Sequence, residues 1–402
     1  MNTIGIIAEY NPFHSGHAYQ IATARKELSA DCVVCVMSGN FVERGEPAII
    51  DMHQRARIAV SSGCDLVVML PVQYSVSASD YFAHGAVSIL DSLGNIDHLV
   101  FGTEADSLDV LNSVAAVLAD EPKEYRALLK NSLASGESYA AARRDALCSY
   151  LDKDISDILS KPNNILAIDY LKSLICLNSS IKPHAVKRVG AGYNDTSASG
   201  GFSSATHLRQ ELLQGDFETV SHYVPACGLE ALSDAYKHNA LVTPEDFYPL
   251  ISYALIREKD RLTDFLDVDN SVANTISAYL TNESASDFSA SVSALSSKNV
   301  TAAKIRRILF HILLGITKDS FPKKACYARI LAFNDTGREY LNSIKKTAAI
   351  PFFSNPQKAR NLLSGKGYEM FCRDMDASEI YNLIVSQKSG IRIPNEFRRK
   401  LF

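Results

Sequence analysis

Five apolar runs alternate with stretches of helical periodicity through the first two hundred residues, and no other feature restricts the fold as tightly. The runs are Thr3–Ala8, Cys32–Met37, Leu66–Leu70, His98–Phe101 and Pro183–Val189. Each is followed by a polar or glycine-containing loop and then by apolar residues at helical spacing, as in Ala18–Leu28 and Asp51–Ser61. Strands that alternate with helices must be joined by crossovers, which lay helices on both faces of a parallel sheet. The pattern therefore predicts a doubly wound, Rossmann-like α/β fold.

After Gly190–Ser204, rich in Gly, Ser, Asn and Asp, the pattern changes to helices joined by short polar loops. In Val300–Ile316 the residues Ile305, Ile308, Leu309, Ile312, Leu313 and Ile316 form an i, i+3, i+4 stripe, with Lys304, Arg307 and His311 away from it. A chain of 402 residues suggests two or three domains of about 100–200 residues. We expect an α/β domain over residues 1–215 and a mostly α-helical, basic domain over residues 216–402.

The basic character of the second part follows from a count. Of 41 Lys+Arg and 45 Asp+Glu, 20 and 8 fall from Lys298 onwards, leaving 21 and 37 before it. A basic surface attracts a phosphate backbone and releases its counterions, so this segregation points to RNA, against the plainer reading of a solvated basic face. Apolar residues make up 47% and charged residues 21%, the composition of a soluble globular protein. The first strand starts at Thr3, which leaves no room for a secretory leader, and no apolar run reaches the ~20 residues of a membrane span. Eight cysteines without repeated spacing fit reduced thiols and a cytoplasmic location. Cys32 and Cys35, the one C-x-x-C, fall within a strand where positions three apart face opposite ways, so they read as buried thiols and not as a redox or zinc pair.

Glu9-Tyr10-Asn11-Pro12-Phe13-His14-Ser15-Gly16-His17 stands where the first strand ends and the first helix begins. Open α/β sheets bind ligands beyond the carboxyl ends of their strands. Gly16 removes a side chain where a base or phosphate comes close. His14 and His17, three apart, share a helix face and can reach one phosphate chain, and the free amides and dipole of that turn favour the same anion. A zinc site would need further ligands that the neighbourhood lacks.

From Ile6 to Tyr19 the sequence resembles the opening of the bacterial tRNA(Met) cytidine acetate ligases, members of the H-x-G-H nucleotidyltransferase superfamily. Agreement continues through Ser38–Ala48 (Ser-Gly-Asn-Phe-Val-Glu-Arg-Gly-Glu-Pro-Ala), Phe101–Glu104, Pro162–Leu166 and Ser204–Arg209. Ser15 stands where the family often has Asn, and Leu208 where Ile is usual; neither removes a group with an assigned role. The resemblance implies that ATP is contacted by Ile7, Ala8, Glu9, Tyr10, Asn11, Pro12, Phe13, His14, Ser15, Gly16, His17, Ala18, Tyr19 and Gln20. It adds Gly102, Asn163, preferred to its neighbour Asn164, and Arg188. Gly102 follows a strand end where a missing side chain admits adenosine, and a guanidinium at Arg188 could grip phosphate oxygens. Ser204-x-Thr206-x-x-Arg209 resembles the superfamily's second signature, which clasps the β- and γ-phosphates; Ser204 would also serve as an ordinary N-cap.

On this resemblance His14, His17, Ser204, Thr206 and Arg209 form the catalytic set. The implied reaction activates acetate with ATP, taken as its Mg²⁺ complex, and acetylates the wobble cytidine of elongator tRNA(Met) to N4-acetylcytidine. Two rivals use parts of the same pattern. An adenylyltransferase acting on a phosphorylated coenzyme precursor would share the first site but has little use for the basic half. A non-catalytic RNA-binding protein would explain the charge but not two phosphate-binding signatures.

Overall fold

The computed structural model describes residues 1–187, 203–282 and 286–399. One sheet of seven strands organises it: β1 (Thr3–Ala8), β2 (Cys32–Ser38), β3 (Leu66–Leu70), β4 (His98–Thr103), β5 (Lys182–Lys187), β6 (Ala328–Phe333) and β7 (Phe352–Phe353). Their spatial order is β5-β4-β1-β2-β3-β6-β7. The first five are parallel, β6 runs antiparallel to β3, and β7 pairs parallel with β6. All five expected strands are present. β2 and β4 run one and two residues further than expected, and β5 is described as far as Lys187, so Arg188 and Val189 lie outside the described residues.

The strands read as unbroken apolar runs because both faces of the sheet are covered. Val34, Val36, Val68 and Leu99 face one core, with α3 (Ser79–Leu93) and α4 (Pro162–Leu177) packed over it. Ile4, Ile6, Val33, Met37 and Val67 face the other, covered by α1 (Ser15–Leu28), α2 (Met52–Ser61) and α5 (Ala205–Gln214). Cys32 joins the first core and Cys35 the second, both fully buried, so this C-x-x-C straddles the sheet as strand geometry requires.

The second half is mostly helical, but it also supplies β6 and β7, which the sequence pattern did not reveal. Ala-Arg-Ile-Leu-Ala-Phe has no clean two-residue alternation, and its Arg329 looks like a surface charge. In the structure Arg329 is buried, forms an ion pair with Glu396 and approaches Met69 Sδ at 3.9 Å. His311 departs from the expectation too: it faces inward, fully buried, with Nε2 3.1 Å from the Val76 carbonyl. A third core, of Phe41, Phe247, Phe310 and Tyr381 among others, sits where the loop after β2 meets α6 (Ala302–Leu314) and α7 (Gly365–Ser389).

Asn334 caps the helix Asp335–Ile344 and bonds Asp65 at the foot of β3 through both its amide and its side chain (3.0 and 2.8 Å). That contact draws Gly337 so close that a Cβ there would lie 2.1 Å from the Asp65 carbonyl oxygen. Gly→Ala in a helix ordinarily gains up to about 1 kcal/mol. Gly337→Ala should instead lose about 1–3 kcal/mol through overpacking, read as a lower midpoint in urea unfolding.

Candidate active site

The chain travels outward from β1 through β2 and β3, then returns past β1 to β4 and β5. The strand order thus reverses between β1 and β4, and in open α/β sheets a crevice opens at such a point. A cleft lies there, and both sequence signatures border it.

β1 leaves the sheet through a tight turn in which Tyr10 adopts a left-handed φ of 51° and Asn11-Pro12 is cis. Tyr10 is buried, its ring 4.7 Å from Phe13 and 4.8 Å from His17. His14 is the N-cap of α1. Its Nδ1 accepts from the Gly16 amide (3.1 Å), and His17 Nδ1 accepts from the His14 amide (3.2 Å). An imidazole that accepts on Nδ1 carries its proton on Nε2 when neutral. The two rings are stacked 3.8 Å apart and both line the cleft. The expectation of free amides in this turn is corrected, because Ser15 donates to the Tyr223 carbonyl (2.6 Å), Gly16 to His14 Nδ1, and His17 to the His14 carbonyl (2.9 Å). These amides are thus engaged within the fold, and the turn presents its two imidazoles to the cleft.

The second signature begins α5. Ser204 is its N-cap, accepting from the His207 amide (3.1 Å), and also lines the cleft. Thr206 Oγ1 lies 3.2 Å from Arg44 Nη1 and 3.5 Å from Arg209 Nη2. Arg209 donates to the Asn11 carbonyl (2.8 Å) and pairs with Glu46 (3.0 Å). The two signatures, nearly two hundred residues apart in the chain, are thereby in direct contact.

Of the expected ligand contacts, Ile7, Ala8, Glu9, Tyr10, Asn11, His14, His17, Gln20, Gly102, Asn163, Ser204, Thr206 and Arg209 border the cleft. Pro12, Phe13, Ser15, Gly16, Ala18 and Tyr19 are not among the residues that border it, and Arg188 lies outside the described residues. Asn163 reaches the cleft and donates to Glu104. Asn164 is occupied structurally instead: its Oδ1 accepts from Thr103 Oγ1 (2.8 Å) and the Glu104 amide (3.0 Å).

Glu43, Arg44, Phe82, Phe101, Leu166, Tyr170 and Ala205 also border the cleft, without having been expected to. Glu43 and Arg44 belong to a two-strand ribbon, Phe41–Val42 with Glu46–Pro47. Gly45 turns it with φ +70°, and a Cβ there would meet the Arg307 amide of α6 at 2.4 Å. Arg307 then pairs with Glu43 at 3.2 Å, so the helical half braces the cleft rim. The signal was the Glu-Arg-Gly-Glu run with its glycine, whose charges have no apolar period to reveal their direction.

The chain matches the model of the HIGH Nucleotidyl Transferase family over residues 1–393 and belongs to that family. Within it, the chain is 39% identical to the tRNA(Met) cytidine acetate ligase of Thermoanaerobacter sp. (strain X514) over 395 residues, 97% of each chain. It is 38% identical to the protein of that name from Clostridium novyi (strain NT), covering 90% of this chain and 92% of the relative. The apo crystal structure of Thermotoga maritima TmcAL superimposes with a TM-score of 0.93 at 29% identity, covering 100% of this chain and 99% of the other. The same protein bound to alpha-thio ATP gives 0.91 at 30% identity, covering 99% and 98%.

Glu9 sits in the cleft with Oε1 accepting from the Glu43 amide (2.8 Å). Burial, reinforced by the charge of Glu43, pushes its carboxyl up to about 7 from an ordinary 4.5. Between those values the folded protein keeps a proton that the unfolded chain releases, so this group lowers stability as pH rises through the window. Glu9→Gln should remove that contribution, up to about 1.4 kcal/mol per pH unit, when urea unfolding is compared at pH 5, 6 and 7.

Proposed function

We propose that this chain is a tRNA(Met) cytidine acetate ligase that adenylates acetate with ATP and transfers the acetyl group to the wobble cytidine of elongator tRNA(Met), giving N4-acetylcytidine. The observation that carries the reading is the contact of the two signatures across one cleft, Arg209 on the Asn11 carbonyl, in a chain similar along nearly its whole length to ligases of that name. Residues 1–215 would carry the chemistry and residues 216–402 the tRNA, with β6 and β7 of the latter completing the sheet. No described helix is long and apolar enough to cross a membrane, and action on a tRNA would suit a cytoplasmic enzyme.

Acetate is ionised at neutral pH, so its oxygen attacks the α-phosphorus without a general base. The catalytic task is alignment and neutralisation of the charge that moves onto departing pyrophosphate. His14 and His17 would present Nε2–H to the phosphates from one side, with Ser204, Thr206, Arg44 and Arg209 facing them from the other. ATP would be held by the remaining cleft residues from Ile7 to Gln20, with Gly102, Asn163 and Arg188. The resulting acetyl-adenylate is a mixed anhydride; the cytosine N4 attacks its carbonyl carbon, AMP leaves, and N4 loses a proton. An anticodon loop suits this step because its bases can be splayed into a pocket. No three-member cluster of His, Cys, Asp or Glu able to cage a metal exists among the described residues. Magnesium would therefore enter as part of the triphosphate complex, held mainly by phosphate oxygens.

ATP–pyrophosphate exchange should require acetate, and His17→Ala should slow it by about 10²–10³-fold, as loss of one transition-state donor does. Exchange indifferent to acetate would overturn the ligase reading in favour of another nucleotidyl transfer; unchanged exchange in His17→Ala would overturn the site.

A further inference from the structure

The cleft is chemically divided. His14, His17, Thr206 and Arg44 give it a polar and basic lining, whereas Phe82 of α3, Phe101 of β4, and Leu166 and Tyr170 of α4, the three aromatic ones sharing one core, give it an apolar wall. Phe82, Phe101 and Tyr170 are only 3, 4 and 5% exposed, and the rings of Phe101 and Tyr170 lie 5.8 Å apart. Asn163, Leu166 and Tyr170 recur at helical spacing, so one face of α4 carries the cleft from polar to apolar. A triphosphate has no use for such a wall, since an apolar surface gives a charged group no hydrogen bonds in exchange for its water.

We propose that Phe82, Phe101, Leu166 and Tyr170 form the acyl subsite, which holds the alkyl group of the carboxylic acid and sets the length of acid that is activated. The inference rests on the ligase reading above and names the part of the site that selects the acid. Three aromatic side chains buried to within a few percent leave only a narrow apolar surface. That surface suits a methyl group, whereas a stacked nucleobase needs the broad open face of a ring. An acid with its alkyl group against this wall turns its carboxylate toward the polar part of the lining, in which Arg44 Nη1 lies 3.2 Å from Thr206 Oγ1. A packed apolar wall is also the physical means of refusing a longer acid, because one surplus methylene is worth about 10–200-fold in discrimination. Leu166, which keeps partial exposure at the cleft, is the residue whose size sets the limit.

The test is acid-dependent ATP–pyrophosphate exchange with acetate, propionate and butyrate, run on the wild type, Leu166→Ala and Leu166→Phe, with Phe82→Leu as a second way of adding room. Leu166→Ala and Phe82→Leu should raise the propionate-to-acetate ratio of kcat/KM by at least about tenfold, and Leu166→Phe should move it the other way. A residue that merely supports the fold would lower both acids together and leave the ratio alone. Acetate-dependent exchange in the wild type with an unmoved ratio in every variant would overturn the subsite while leaving the ligase reading intact. The same unmoved ratio joined to a raised KM for tRNA would assign the wall to the acceptor base and overturn it equally. Wild-type exchange that ignores all three acids would overturn both.

Discussion

One guanidinium holds the two halves of the candidate site together. Arg209 reaches from the first turns of α5 to the Asn11 carbonyl in the turn after β1, and its other amino group pairs with Glu46 of the ribbon after β2. A charged donor on a backbone carbonyl and a carboxylate at once fixes distance as well as orientation. Below it a second arginine does similar work from inside the protein. Arg55 of α2 is fully buried and donates to the carbonyls of Glu9, Ser38 and Gly39, where β1 and β2 leave the sheet, and to that of Ile50 just before α2. Burial lowers its guanidinium to about 10, yet it remains a cation at neutral pH. Carbonyls at the ends of β1 and β2 are thus gathered by one buried positive charge, and Glu9 among them also borders the cleft.

The charge segregation along the chain takes on a more specific meaning in three dimensions. Several basic residues of the second half point inward, toward acids. Arg307 meets Glu43 at the cleft rim, and Arg329 meets Glu396 beneath β6. Burial alone would raise the Glu396 carboxyl, but a hydrogen bond with His53 and the charges of Arg329 and Arg399 outweigh it and hold the group at about 2. Such buried pairs are costly to break one partner at a time. They couple the helical half to α2 and the ribbon, so the second half shapes the nucleotide cleft in addition to presenting a basic exterior.

The parallel sheet was legible because its strands are buried on both faces, and uninterrupted runs such as Cys-Val-Val-Cys-Val-Met leave few alternatives. His14 and His17 were legible as a pair because three-residue spacing at a helix start allows little else. What the sequence hid was direction. Nothing in Ala328–Phe333 says that Arg329 turns into the protein, because its partner Glu396 lies in the tail. Glu43 and Arg44 sit in a two-strand ribbon too short to show a period. The apolar wall escaped for a related reason: Phe82, Phe101, Leu166 and Tyr170 read as ordinary core residues, and three elements must pack before they share a surface.

The central claim is that the two signatures grip a triphosphate between them, and isothermal titration tests it without reference to turnover. A non-hydrolysable ATP analogue and AMP would be titrated into the wild type and Arg209→Met. The account predicts that Arg209→Met loses most of its affinity for the triphosphate and keeps its affinity for AMP. Equal affinities for the triphosphate in both proteins, or an equal loss for both nucleotides, would contradict it.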